Sequence, residues 1–380
     1  MLKKCVTLFA PSFNYRGGIG SFTAHLIKVL KNSNYKIFMI SYNDIDENLY
    51  SKLFATPLQN IHKHSISLPI RSFFSGKSSY GNLITKILDL KYTGSLFDQL
   101  DRLGVISFNV TGVWLFLPSH FVYIHDPERL IPNLQGVNIQ RIWRSPYQHI
   151  VKKLLQLYKK STIFVNSKYC LNVLKTYTGL KGNVLNPPIK INAYKKALNG
   201  PHNKPWSISL VRFDKDKNLE LIIKAAKHAK NIKFLIIGFL DNYNYFKKLK
   251  KLAKNLNLNN VHLLPNLSSN DRLKFFSKAK FYLHPTIREN FGIAILEAMA
   301  SGLVPFVHRS GGPWTDILDG KTGLYGYPYR DVEELVNHLN DIIGNEEKRE
   351  KLSRNAYEKS KQYDLSNFKQ ILLNYFTKLQ

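Results

Sequence analysis

The stretch SISLVRFDKDKNLELIIKAAKHAKNIKFLIIGF, residues 207–239, predicts the fold of this chain. It begins and ends with short apolar runs that are typical of buried strands, and the segment between them has the apolar spacing of an amphipathic helix. A strand, a helix and a second strand in this order join parallel strands by a crossover connection. The stretch therefore predicts a parallel sheet covered by helices.

The same alternation extends over most of the 380 residues. The strand-like runs of the first half are KCVTLFA (4–10), YKIFMISY (35–42), GVISFNV (104–110), FVYIHD (121–126) and TIFVNS (162–167). Those of the second half are SISLVRF (207–213), IKFLIIGF (232–239), VHLLPN (261–266), KFYLHP (280–285) and LVPFVH (303–308). Because the chain is longer than one hydrophobic core usually supports, two such series predict an α/β protein with two doubly wound, Rossmann-like parallel-sheet domains.

Turn-forming residues mark the join between the two domains. LNPPI (185–189) and LNGPHNKPW (198–206) are rich in Pro, Gly and Asn and lack apolar periodicity. The boundaries that follow are 1–187 for the first domain, 188–204 for a linker, 205–360 for the second domain, and 364–380 for a C-terminal helix expected to pack back on the first domain.

The composition indicates a basic globular protein without membrane-spanning helices. The chain is 44% apolar and 21% charged, as globular proteins are, and its 55 basic residues outnumber 26 acidic ones for a net charge of +29. No run of about 18 apolar residues occurs, so no membrane-spanning helix is expected. The start is interpreted as a buried strand rather than a signal peptide, and two cysteines suit a reducing compartment, so we expect a cytoplasmic protein.

The basic charge is concentrated where acidic residues are missing. Between Glu128 and Asp214 the sequence has 15 lysines and arginines and no acidic residue. Within this gap, RIWRSPYQHIVKKLLQLYKK (141–160) combines aromatic and cationic residues as helices on anionic membranes do. We interpret it as a peripheral contact with the inner face of a membrane, made by Arg141, Trp143, Arg144, Lys152 and Lys153. The alternative is a solvated helix face. Nucleic acid is disfavoured because no nucleic-acid-binding motif is present.

Two candidate ligand contacts follow strands of the first domain. In PSFNYRGGIGSFTAHLIKVL (11–30), Gly17 and Gly18 allow a ligand to approach the backbone, and the helix that follows favours negative charge at its N-terminus. His125 stands where another strand ends, at the edge where doubly wound sheets bind ligands. An ordinary turn and a structural histidine are the alternatives.

Two cations stand at the same edge in the second domain. Arg212 ends the first strand and Lys217 precedes the following helix. Two cations at this position can hold a diphosphate, the arginine as a planar fork and the lysine as a point charge. In so basic a chain the presence of two cations means little, so this hypothesis rests on their position at the edge of the sheet.

The segment RENFGIAILEAMASG (288–302) places two glutamates eight positions apart around a helix that is apolar on every side. We expect the helix to begin at Phe291 and Gly292, with free N–H groups that face phosphate. Glu297, about two turns in, is expected to stay ionised by accepting hydrogen bonds from ligand hydroxyls such as a ribose pair. Glu289 would face the other end of the same ligand, and local structural partners for both acids are the alternative.

No metal site is expected. DID (44–46) and DKD (214–216) are interpreted as solvated loops, and His62 and His64 lack companions at metal-binding spacing.

Together these segments resemble the retaining glycosyltransferases of family 4, which have the GT-B fold of two domains facing a central cleft. The matching segments are RENFGIAILEAMASGLVPFVHRSGGPWTDILDGKTG (288–323), VRFDKDKNLELIIKA (211–225), FVNSKY (164–169) and LNPP (185–188). A weaker likeness to lipid-linked oligosaccharide mannosyltransferases lies in SGGPWTDIL (310–318), VYIHDP (122–127) and VNSKYCLNVL (165–174). One departure is IIGFLD (236–241), where Gly238 stands in place of the family's glycine pair.

The resemblance implies a role for each candidate residue. Arg212 and Lys217 would bind the donor diphosphate, with the Gly17–Gly18 backbone contacting it from the other domain. Glu297 would bind the ribose, and His125 would lie at the reacting side of the sugar. The transferred sugar would be held by Glu289 and by the amides of Asn290, Phe291 and Gly292.

The resemblance further implies a retaining, metal-independent and cofactor-free glycosyltransferase. We expect a hexose, with mannose from GDP-mannose the first choice, and a polyprenyl-type lipid-linked glycan as acceptor at the cytosolic membrane surface. Two alternatives remain: a UDP-sugar transferase with a soluble small-molecule or polysaccharide acceptor, and a non-catalytic polyanion-binding protein on a degenerate transferase scaffold.

Overall fold

The structure is a computed structural model, and it describes residues 4–66, 98–112, 117, 119–130 and 155–379. The chain forms two units that divide between Asn186 and Pro187. Each unit contains one parallel sheet with helices between its strands, so the predicted pair of doubly wound parallel-sheet domains is confirmed.

The first unit has a seven-stranded sheet in the order β3-β2-β1-β4-β5-β6-β7. Its strands are β1 (Cys5–Phe9), β2 (Lys36–Ser41), β3 (His62–Ser65), β4 (Ile106–Asn109), β5 (Phe121–Ile124), β6 (Thr162–Val165) and β7 (Asn183–Val184). Its helices within the described ranges are α1 (Gly18–Lys31), α2 (Glu47–Phe54) and α3 (Lys168–Thr178). The strand order reverses between β1 and β4, and such a reversal opens a crevice at the carboxyl ends of the strands.

The second unit has a six-stranded sheet in the order β10-β9-β8-β11-β12-β13. Its strands are β8 (Lys204–Leu210), β9 (Lys233–Gly238), β10 (Val261–Pro265), β11 (Ala279–His284), β12 (Val304–His308) and β13 (Tyr327–Tyr329). Its helices are α4 (Lys195–Leu198), α5 (Glu220–His228), α6 (Tyr243–Asn255), α7 (Ser269–Phe276), α8 (Ile293–Ala300), α9 (Val332–Ile343), α10 (Glu346–Ser360) and α11 (Leu365–Thr377). The order reverses between β8 and β11, so Arg212 and Glu289 flank the second crevice.

All ten strand-like runs of the sequence form strands, and three further strands lie at sheet edges. These are β3, β7 and β13, with the sequences HKHS, NV and YPY. An edge strand pairs on one side only, so it tolerates polar residues and proline that a central strand excludes. Hydrophobic periodicity alone therefore misses them.

The helices of the second unit cover both faces of its sheet. Ile222 and Ile223 of α5 belong to one core, and Ile295, Leu296 and Met299 of α8 belong to the other, all of them fully buried. Because both faces are covered, a central strand can bury consecutive apolar residues, as β9 does from Phe234 to Ile237.

The segment that enters the second unit is fixed to the start of the last helix. Ile189 accepts a backbone hydrogen bond from Leu365 at 2.9 Å and donates one to Tyr363 at 2.9 Å. Phe368, Leu372 and Phe376 form the buried face of α11. That this helix packs on the first domain stays a prediction.

No helix in the described part of the chain combines the length and the hydropathy that a membrane crossing requires.

Candidate active site

Glu289 is fixed at both of its carboxylate oxygens. Lys217 Nζ lies 3.2 Å from Glu289 Oε2, and His284 Nε2 lies 3.3 Å from the same oxygen. The Asn290 N–H donates to Oε1 at 3.2 Å. The side chains of Lys217 and Glu289 are 18% and 20% exposed, so the pair is largely shielded from water but open to a ligand on one side.

These contacts set the charge of Glu289. Burial by itself would raise the pKa of this carboxyl, but the Lys217 charge and the hydrogen bonds from His284 and Lys217 outweigh burial. The pKa of Glu289 consequently lies well below its ordinary value. Glu289 is therefore an acceptor that stays ionised at neutral pH, which suits binding of sugar hydroxyls.

Arg212 and Lys217 share one carboxylate. Asp216 Oδ2 lies 3.5 Å from Arg212 Nη2 and 3.8 Å from Lys217 Nζ. Arg212 Nη1 also lies 3.0 Å from Asp241 Oδ2 and 3.9 Å from Asp214 Oδ2. Because one carboxylate reaches both cations, one diphosphate can also reach both.

The same contacts revise the interpretation of DKD (214–216). Both of its carboxylates lie in an exposed loop, with side chains 37% and 53% exposed, but they pair with Arg212 rather than only with water. Of DID (44–46), Asp46 caps α2 and Asp44 accepts from Ser65. Neither motif belongs to a metal-binding group of side chains in the described ranges.

The start of α8 is shaped by three glycines. Gly292 is its N-cap with φ 93°, and no side chain of the described residues caps the helix. The helix begins at Ile293, two residues later than predicted, so Glu297 lies only one turn in. Gly311 and Gly312 pack on the backbone before it: a Cβ atom at these positions would lie 2.3 Å from the Glu289 carbonyl oxygen and 2.4 Å from that of Asn290. Larger residues at positions 311 and 312 would therefore displace the segment that contains Glu289.

Glu297 has protein partners that its sequence position did not reveal. The Tyr194 hydroxyl donates a hydrogen bond to the half-buried Glu297 carboxylate, and Arg272 contributes a favourable charge. Burial raises the pKa of Glu297 above its ordinary value, and these two partners offset burial only in part. An ionised Glu297 therefore gains from further donors, such as ligand hydroxyls.

Phe291 contributes only its backbone. Its side chain is 2% exposed and stacks edge-on against Tyr363 at 5.5 Å between ring centroids. The structure thus brings Lys217, Glu289, Asn290 and the start of α8 together, with Arg212 joined to them through Asp216.

In the first unit, Gly17 and His125 lie at the carboxyl edge of the sheet. Gly17 is the N-cap of α1 with φ 81°, Gly18 is the first residue of that helix, and both are exposed. His125 follows β5 and packs edge-on against Phe22, one turn into α1, at 5.3 Å between ring centroids.

The hydrogen bond of His125 fixes its tautomer. Nε2 lies 3.0 Å from the Val110 carbonyl oxygen, which can only accept, so Nε2 carries the proton and Nδ1 is left as an acceptor. Burial lowers the pKa of His125 to about 4, against the raising effect of the Val110 bond. His125 is therefore neutral at physiological pH, and its Nδ1 can accept a hydrogen bond but cannot donate one.

Sequence reasoning missed four residues at the second unit's site: Tyr194, Asp241, Arg272 and His284. Only His284 carried a usable signal, since it ends a strand at the ligand-binding edge as His125 does. The other three residues carried no such signal, because they come from separate segments of the chain. The predicted membrane contacts Arg141, Trp143, Arg144, Lys152 and Lys153 lie outside the described residues.

Residues 190–359 match the profile of a family described as "Glycosyl transferases group 1". The chain is 23% identical over 257 residues to the GDP-Man:Man(3)GlcNAc(2)-PP-Dol alpha-1,2-mannosyltransferase of Dictyostelium discoideum, covering 61% of this chain and 50% of that protein. It is 24% identical over 340 residues to the alpha-1,3/1,6-mannosyltransferase ALG2 of the same organism, covering 77% of each. The chain thus spans about half the length of the first relative.

A solved structure of sucrose-phosphate synthase from Thermosynechococcus elongatus superimposes with a TM-score of 0.74 at 15% identity, covering 99% of both chains. At this identity the likeness concerns the fold, and it confirms the predicted GT-B architecture. The profile match and the mannosyltransferase relatives confirm the resemblance that the motifs of 207–325 indicated.

Proposed function

We propose that this chain is a glycosyltransferase that transfers mannose from GDP-mannose to a polyprenyl-type lipid-linked glycan. The match of residues 190–359 to the profile described as "Glycosyl transferases group 1" supports the reaction class. The names of the two Dictyostelium relatives support mannose as the sugar, and that of the first supports GDP-mannose and a lipid-linked acceptor. The reaction proposed is retaining, metal-independent, and carried out at the cytosolic membrane surface.

One observation carries the proposal: Asp216 Oδ2 lies within 4 Å of both Arg212 and Lys217, at 3.5 Å and 3.8 Å. A donor diphosphate that takes the place of this carboxylate would meet both cations at once. Breaking the bond between sugar and phosphate builds negative charge on the departing diphosphate. Fixed cations stabilise that charge more in the transition state than in the ground state, which accelerates the reaction without a metal ion.

The uncapped start of α8 supports the same assignment. Its first N–H groups have no side-chain cap among the described residues, and an anion at a helix N-terminus is stabilised by such groups. Glu289, ionised and held by Lys217 and His284, would accept hydrogen bonds from the sugar hydroxyls. In the first unit, the exposed Gly17–Gly18 turn would offer its backbone to the diphosphate, and His125 Nδ1 would accept a hydrogen bond from the sugar.

The test is product formation from defined substrates. The purified chain, with EDTA present, is incubated with GDP-mannose and a polyprenyl-diphosphate glycan in vesicles, and the product is analysed by mass spectrometry and by NMR of the new anomeric centre. We expect one added hexose with the donor's configuration. Glu289→Gln should abolish most turnover, while Glu333→Gln, a neutralised exposed glutamate of α9, should leave it unchanged.

A nucleotide panel in a thermal-shift assay separates the alternatives. A ligand at 100 times its Kd stabilises the folded chain by about 2.7 kcal/mol. Stabilisation by UDP but not GDP would favour the UDP-sugar transferase. No stabilisation by any nucleoside diphosphate, together with no product, would favour the non-catalytic polyanion-binding protein.

A further inference from the structure

Arg272 has a buried hydrogen-bond donor without an acceptor. It lies in the first turn of α7, where its Nη2 donates to Ser269 Oγ at 2.9 Å and so holds the guanidinium in one orientation. Its Nε is buried and has no partner among the residues that the structure describes. A buried, unpaired donor is unfavourable, so a group that supplies an acceptor here would be bound with a gain.

The segment around Arg272 is built against the helix that carries Glu297. α7 packs on α4, and the 3-10 helix before α4, Ile191–Tyr194, packs on α8. Tyr194 thereby reaches Glu297 with its hydroxyl, and the charge of Arg272 acts on both of these side chains. The three side chains come from three separate segments and meet at one place.

The two acids of the site are influenced by different cations. Lys217 Nζ lies 3.2 Å from Glu289 Oε2, and the charge of Arg272 acts on Glu297, one turn into α8. Tyr282 lies within the influence of both acids, since burial raises its pKa well above the ordinary value and the charges of Glu297 and Glu289 add to this. A donor with its diphosphate and sugar at Lys217 and Glu289, and its ribose at Glu297, would have its base next to Arg272.

We propose that Arg272 recognises the base of the donor nucleotide and selects guanine over uracil. This inference rests on the proposed function, because it names the base subsite of the same donor. Guanine presents two neighbouring acceptors, N7 and O6, which an arginine binds with two parallel hydrogen bonds. Uracil has no such pair, because an N–H donor stands between its two carbonyl groups. Arg272 Nε would donate one of the two bonds.

The test compares GDP and UDP affinities by calorimetry in Arg272→Gln and Arg272→Lys. We expect each variant to lose about tenfold or more in GDP affinity but less than about threefold in UDP affinity, because the paired bonds discriminate between bases. Arg272→Lys retains the positive charge beside Glu297 and removes the fork, so it separates base recognition from support of Glu297. Arg354→Gln, which changes an arginine 71% exposed on α10, is the matched control and should bind both nucleotides as the parent does.

Two results would overturn the inference while leaving the proposed function in place. One is an equal loss of GDP and UDP affinity in both variants, which would mean that Arg272 acts only through the charge of Glu297. The other is unchanged GDP affinity in both. A parent chain that binds neither nucleotide would overturn the inference and the proposed function together. Melting temperatures without nucleotide establish whether each variant is folded. If Arg272→Gln is unfolded, the comparison of GDP and UDP affinities is made with Arg272→Lys alone.

Discussion

At the scale of single residues, two glutamates of one short segment have opposite electrostatic settings. Burial raises the pKa of Glu289, but Lys217 and His284 lower it by more than burial raises it. The pKa of Glu289 therefore lies well below its ordinary value. The pKa of Glu297 is raised because burial outweighs Arg272 and Tyr194. Their spacing of eight residues was readable in the sequence, but the difference between them was not. It depends on which side chains the fold brings to each.

Glu297→Gln should lower turnover by about tenfold or more, which corresponds to about 1.4 kcal/mol of lost transition-state stabilisation. The amide cannot provide two charged acceptor oxygens to the ribose, so the donor loses a charge-assisted contact. Steady-state kinetics with GDP-mannose measure the effect, and Glu333→Gln serves as the neutral control. Turnover equal to that of the parent would contradict the role of Glu297.

The pH dependence of nucleotide binding gives this prediction a second readout. A raised pKa means that Glu297 takes up its proton at a pH above the ordinary value of 4.5 as the solution is acidified. Since the ionised form accepts the ribose hydroxyls, GDP affinity should fall in the parent as the pH drops through that raised pKa. In Glu297→Gln this component of the pH profile should be missing. An identical profile in both proteins would show that another group titrates.

At the scale of elements, the end of β9 depends on the absence of a side chain. A Cβ atom at Gly238 would lie 1.5 Å from the carbonyl oxygen of Val211, the residue before Arg212. The close approach of the two backbones holds the loop from which Arg212 and Asp241 meet at 3.0 Å. The family's second glycine is missing here, yet this first one is required by packing and not only by a ligand.

Gly238→Ala should therefore reduce the free energy of unfolding by about 2 kcal/mol or more, because the added methyl group has a backbone atom in its way. Gly344→Ala is the matched control: its φ of −89° suits alanine, and nothing lies within 4 Å of the added Cβ atom. It should change the stability by no more than about 0.5 kcal/mol. Urea unfolding of both variants measures the difference. Equal stabilities of the two variants would mean that the end of β9 and the backbone of Val211, just after β8, can move apart at little cost in free energy.

At the scale of the whole molecule, the net charge of +29 is the dominant feature, and it is distributed over both halves of the sequence. Such a charge attracts anionic surfaces from a distance, and its effect is screened by salt. Whether one segment carries the attraction or the whole surface shares it is a question that a charge-matched comparison can answer.

Replacing Arg141, Arg144, Lys152 and Lys153 with glutamine should weaken binding to vesicles that contain anionic lipid, most clearly at low salt, because each basic residue near the surface contributes about 1 kcal/mol. The control replaces four exposed lysines of the second unit, Lys227, Lys230, Lys251 and Lys254, and has the same net charge. Flotation of both variants with the parent measures the loss. If both lose equally, the attraction belongs to the overall charge, and 141–160 is only a solvated face.

The sequence by itself determined the two sheets and ten of the thirteen strands that the structure describes. It also placed Arg212, Lys217 and Glu289 in segments that follow strands, and Glu297 in the helix after Glu289. These features follow from periodicity and turn chemistry, which act between neighbours in the chain. Only the tertiary structure decided which side chains meet. Lys217 and Glu289 are 72 positions apart, and Tyr194 and Arg272 reach Glu297 from two further segments. Charges act through space rather than along the chain, so the protonation of each acid and the unpaired donor of Arg272 exist only once the strands are placed side by side.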